Sequence, residues 1–156
     1  MTRSARAVVA AVVVSCVSSS TAAFASLGGT VSSIDADRVR MKSALVGIDQ
    51  RGPYSVHTMQ MPTGTTVREY YGTNGVVFGV AWNGPWPPDL QQLFGTYFDQ
   101  YQRAVESARR ARKSRGRLAI DDNGLVVQST GHTRSFTGIA YATALLPAGI
   151  APSVIK

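Results

Sequence analysis

The apolar and polar positions of the chain fall into an alternating block, a helical block and a second alternating block. Residues 54–61, YSVHTMQM, and 66–71, TVREYY, are rich in β-branched and aromatic side chains and predict two strands around the turn Pro62-Thr63-Gly64-Thr65. Asn74-Gly75, where both residues tolerate positive φ, predicts a hairpin into a third strand over 76–82. Strict alternation would place Val76, Phe78, Val80 and Trp82 on one face and Val77, Gly79 and Ala81 on the other. Both sets are apolar, so this strand is expected to be central, with its small-residue face admitting a bulky neighbour.

The expected neighbour is the next element. Pro87-Pro88 cannot continue a strand, and Asp89 is a good N-cap. Leu90, Leu93, Phe94, Tyr97, Phe98 and Tyr101 follow at the spacing of one helix face, predicting a helix over 90–113 packed above Gly79 and Ala81. Alternation then predicts strands over 117–121, 125–129 and 132–141, with turns at Asp122-Asn123-Gly124 and Thr130-Gly131. A short helix is expected over 32–45, behind a flexible stretch over 26–30. Pro147, Gly149 and Pro152 argue against regular structure near the end. Two runs of strands around one helix define an α+β fold: an antiparallel β-sheet of two meanders with one long α-helix packed across a face.

The first residues have a different pattern. Arg3 and Arg6 precede the apolar run AVVAAVVVSCV, and Ala23-Phe24-Ala25 has the small-x-small form that signal peptidase accepts. The run is too short to cross a bilayer, which takes about 20 residues. Residues 1–25 are therefore expected to be a signal peptide, and 26–156 a single domain that is periplasmic or secreted. Val13-Val14-Ser15-Cys16 loosely resembles a lipobox, so a lipoprotein anchored through Cys16 is the alternative. After cleavage at Ala25 no cysteine remains, and the core alone must hold the fold.

Charge sharpens the picture in one place. The chain has 16 Lys+Arg against 9 Asp+Glu. The segment RAVESARRARKSRGR, residues 103–117, contains Arg103, Arg109, Arg110, Arg112, Lys113, Arg115 and Arg117 but one acid, Glu106. Outside the signal segment the basicity belongs to this stretch alone. It is a candidate contact for an anionic envelope polymer or an acidic protein; nucleic acid is not expected as a specific partner of an exported chain. Trp86, set among prolines in a loop, is a second binding candidate, whereas Trp82 reads as a core residue.

Catalytic chemistry has little to work with. His132 and Arg134 are expected to share a strand face, and a pair with Glu69 could act as acid and base on an envelope polymer if their strands were neighbours. No Cys or His pair has metal-ligand spacing, and phosphate-binding and nucleophile-elbow motifs are absent, so no metal or cofactor is called for.

Three stretches carry a resemblance: SLGG after the signal, GTTVREYYGTNGVVFGVAWNGPWPPDLQQLFGTYFDQY in the middle, and LVVQSTGHTRSFTGIAY near the end. Together they resemble a family of small exported proteobacterial proteins known only as a domain of unknown function. The resemblance implies export and one domain, and transfers no activity.

Overall fold

In the computed structural model, residues 27–31, 38–39, 42–111 and 117–156 are described. The expected signal peptide and most of the expected helix over 32–45 lie outside them. Seven strands, β1 (Ala44–Gln50), β2 (Tyr54–Gln60), β3 (Thr66–Gly72), β4 (Val77–Gly84), β5 (Arg117–Asp122), β6 (Leu125–His132) and β7 (Ser135–Ala142), form one antiparallel sheet. Their order is β1-β2-β3-β4-β7-β6-β5, so the two expected meanders meet where β4 pairs with β7. Helices α1 (Leu90–Phe94) and α2 (Phe98–Ala111) connect them, with α2 lying chiefly over β5. The fold is the α+β arrangement that the hydrophobic pattern predicts.

Strand β4 departs from strict alternation. Tyr70 pairs with Gly79, but the next residue, Tyr71, pairs with Val77, leaving Phe78 as an extra residue in a β-bulge. The bulge reverses the facing of everything before it. Val77, Val80 and Trp82 join the core beneath the helices, while Phe78 and Ala81 join a second core on the other face. The expected grouping of Phe78 with Val80 and Trp82 is therefore corrected.

The helix does not cover Gly79 and Ala81. That face receives the end of the chain: Ile155, 3 % exposed, sits where a Gly79 side chain would be. The Tyr70 hydroxyl donates to the Lys156 main-chain oxygen at 2.8 Å and accepts from the Lys156 N–H at 3.1 Å. Val154, Ile150 and Leu146 pack beside it. The prolines do exclude helix and strand here, leaving 3₁₀ turns at Thr143–Leu145 and Pro152–Val154, but the tail is part of the core.

Other local expectations also move. The lead segment is pinned rather than flexible: Leu27 is fully buried and donates to the Leu93 carbonyl, and Gly28 and Gly29 bond to Val77. Leu45, expected in a helix, belongs to β1, an edge strand exposed along its whole length. The last hairpin turns at Thr133-Arg134, with His132 paired to Ser135, so 130–131 continues β6. Asp89 caps α1 as expected, its carboxylate accepting from Gln92 N–H at 3.2 Å. The helix then breaks at Gly95, whose φ of 48° and ψ of −119° no helix allows. The break lets α1 run down the sheet from β4 and α2 return along β5.

Trp82 and Phe94 hold this reversal. The Trp82 ring lies against Gly138 of β7, where a Cβ would collide with it, and 6.1 Å from Phe94. Phe94 is fully buried and meets Tyr101 of α2 edge-on at 4.8 Å. Phe94→Ala is expected to cost about 3–5 kcal/mol, read as a lower urea midpoint at unchanged slope. Phe98, only partly buried, should cost less when truncated.

Candidate functional site

Strand register gathers the candidate residues along one rim of the sheet. Arg117, which opens β5, stands opposite Thr130 of β6, and Thr130 stands opposite Thr137 of β7. His132 closes β6 just beyond, and Arg134 lies in the following turn with φ at 60°. The end of β4 reaches the same rim, where Gly84 pairs with Phe136. Trp86 follows it. Its carbonyl accepts from the Thr65 hydroxyl at 2.6 Å, which ties the loop to the β2–β3 turn and leaves the indole 56 % exposed.

Helix α2 brings its basic end to this rim. Near its start, the Gln100 side chain donates to the Asp122 carbonyl at the far end of β5. From there towards its finish, Tyr101, Val105 and Arg109 share a groove of about 270 Å³ with Arg117, Leu118 and Gly131. Arg103, Arg109, Arg110 and Arg117 are all exposed. Arg110 faces Glu106 one turn back at 3.5 Å, with both side chains in solvent, a pairing worth little. Cations also suit a helix C-terminus, whose free carbonyls carry partial negative charge. Arg112, Lys113 and Arg115 lie outside the described residues. By contrast Arg51, at the opposite rim, is occupied by Asp49, which raises its pKa by hydrogen bonding and by charge.

The structure keeps the catalytic candidates apart. Glu69 on β3 is in register with Val80, Ala140 and Val127, so His132 is three strands across and five residues along, roughly 20 Å away. His132 and Arg134 do not share a strand face either, because Arg134 is in the turn. Glu69 instead stands opposite His57 on β2. The Tyr71 hydroxyl lies 3.0 Å from His57 Nε2, with the rings edge to face. Glu69 is fully buried and partnered, and His57 is 8 % exposed. This is a closed polar cluster, with no access for a polymer. The His57–Glu69 register follows from a hairpin centred on 62–65, so that turn was the signal in the sequence for it.

Among the described residues, no three or more His, Cys, Asp or Glu side chains converge as metal ligands. No described helix is long and apolar enough to cross a membrane.

The fold and this rim define an α+β protein with a cationic sheet edge, in which His132 and Glu69 stand far apart. The chain belongs to the family DUF2844, proteins of unknown function, whose model matches residues 23–155. No curated protein and no solved structure matches it.

Tyr101 reports on the rim. Burial disfavours its phenolate and raises its pKa above the ordinary tyrosine value, and the positive charge of Arg109 partly opposes this. Arg109→Gln removes the opposing charge, so ultraviolet titration of tyrosinate should show one tyrosine moving to still higher pH.

Proposed function

We propose that this protein is an exported envelope protein that acts as a binding module, docking through the basic end of α2 onto an anionic polymer or an acidic protein. The observation that carries the reading is the exposure of Arg103, Arg109, Arg110 and Arg117, with Arg109 and Arg117 lining a partly apolar groove together with Tyr101, Val105 and Leu118. Folding does not require such a cluster, since like charges repel and only Arg110 has a described acidic partner there. Trp86 and Arg134 extend the same rim with an exposed aromatic surface and a further cation. The alternative, an envelope-polymer enzyme using His132 and Glu69, loses its support with their separation.

Docking of this kind weakens with salt, because the screening length falls from about 10 Å at 0.1 M to about 3 Å at 1 M. The double variant Arg109→Gln/Arg110→Gln should lose retention on heparin and lipopolysaccharide columns at low salt while its melting temperature stays unchanged. Unchanged retention would return the arginines to the role of a solvated helix end.

Export is supported by the charged start, apolar run and Ala23-Phe24-Ala25 site. Intact-mass measurement of protein recovered from the periplasm or medium should give a chain beginning at Ser26. A lipid-modified species beginning at Cys16 would place the protein on a membrane instead.

A further inference from the structure

Among the described residues, the sheet face opposite α2 is only half covered. The carboxy-terminal tail closes it over β2, β3 and β4, with Ile155, Val154 and Ile150 packed on Val56, Tyr70 and Phe78. Beyond the tail, β7, β6 and β5 leave an open concavity of about 510 Å³. Register arranges its lining in two transverse rows. Arg117, Thr130 and Thr137 stand across from one another, and Asn83 of β4 continues that row. Two residues along each strand, Ala119, Gln128 and Ile139 form the second. Residues two apart on a strand share a face, so both rows open the same way.

The rows differ in chemistry. The first offers a guanidinium, two hydroxyls and a carboxamide. Asn83 Nδ2 donates to Thr137 Oγ1 at 2.8 Å, which uses one acceptor position of that hydroxyl and leaves its O–H to donate outward. The second sets the Gln128 carboxamide between the apolar side chains of Ala119 and Ile139. Among the described residues, no acid lines the concavity. Asp121, on the same face of β5, is four residues from Arg117, on the order of 13 Å along the strand.

We propose that this concavity binds a short acidic oligosaccharide, with sugar units that carry a carboxylate. Arg117 matches a carboxylate with two parallel hydrogen bonds, a geometry lysine cannot supply. Hydroxyl and carboxamide groups both donate and accept, as sugar hydroxyls require. Ile139 and Ala119 give apolar surface to the C–H face of a pyranose ring. The volume falls in the range of small-ligand clefts, about 300–1,000 Å³. A nucleic acid, with a phosphate charge about every 1.7 Å of duplex, would need a row of cations where the described lining of this site has one. Arg117, Leu118 and Ser129 border both this concavity and the groove beside α2, but neither Arg109 nor Arg110 lines the concavity, so the site stands without the helix-end reading.

The test is a nuclear magnetic resonance titration of nitrogen-labelled protein with a galacturonate trisaccharide, and with the neutral galactose trisaccharide as comparison. Amides of 117–119, 128–130 and 137–139 should shift with the acidic sugar and much less with the neutral one. Arg117→Gln should raise the dissociation constant about tenfold or more and erase the acidic preference. Gln128→Ala should weaken both sugars, with amide signals elsewhere in the sheet unchanged as the check on folding. Arg109→Gln/Arg110→Gln should leave the titration as in the parent protein. Absence of shifts at these amides, or equal response to the neutral sugar, would overturn the proposal. So would loss of binding in the helix-end variant, which would move the contact to the rim.

Discussion

One extra residue in β4 organises this protein. Strand β4 joins the two meanders and is buried on both sides, so its side chains must serve two cores. The bulge at Phe78 lets Val77, Val80 and Trp82 face the helices while Phe78 and Ala81 face the tail. Without it the bulky Phe78 would crowd the helix side, and the aromatic cluster with Tyr54 and Tyr70 would have no centre. Gly79 follows the bulge, where the absence of a side chain admits Ile155. The position of the tail, the seating of the lead segment at Val77 and the descent of α1 from Trp82 all depend on this strand.

The same topology separates structure from exposure. Among the described residues, helices cover one face and the tail covers half of the other, which leaves the rim and the face of β5 to β7 open. The buried titratable groups among the described residues lie on β2 and β3, where His57 and Glu69 with Tyr71 satisfy one another or their neighbours. Arg103, Arg109, Arg110 and Arg117 are exposed along α2 and at the start of β5. A buried carboxylate must be partnered to be tolerated, whereas the arginines lose nothing by facing water. Solvation thus explains where each kind of group sits. It does not explain why Arg109 and Arg117 border one groove with Arg103 and Arg110 exposed on the same helix, and that grouping is what the docking reading rests on.

Much of the fold was legible in the chain. Periodicity placed β2, β3, β4, β5 and the helical stripe, because each repeats its pattern over several residues. Asn74-Gly75 and Asn123-Gly124 marked turns that need positive φ, and Gly75 and Gly124 adopt it at 73° and 82°. The candidate site was legible only in part. The basic segment and exposed Trp86 stood out by composition, but the His132–Glu69 pairing assumed strand neighbours that do not exist. The true cross-strand partner of Glu69 was already implied by the 62–65 turn. Edge strand β1 was missed because, exposed on both faces, it has no alternation to display.

Local propensity and period were therefore determined by the sequence itself: which segments form strands, where Asp89 starts a helix, and where charge accumulates. Tertiary structure alone decided what faces what. A bulge depends on pairing between strands distant in energy terms from the local pattern, so alternation could not show that Phe78 and Gly79 would look the same way. The burial of Ile155 likewise depends on a gap that exists only once β3 and β4 have paired. The rim arises because antiparallel register brings the ends of β4, β6 and α2 beside the starts of β5 and β7. Such long-range contacts leave no periodic mark in the residues that make them.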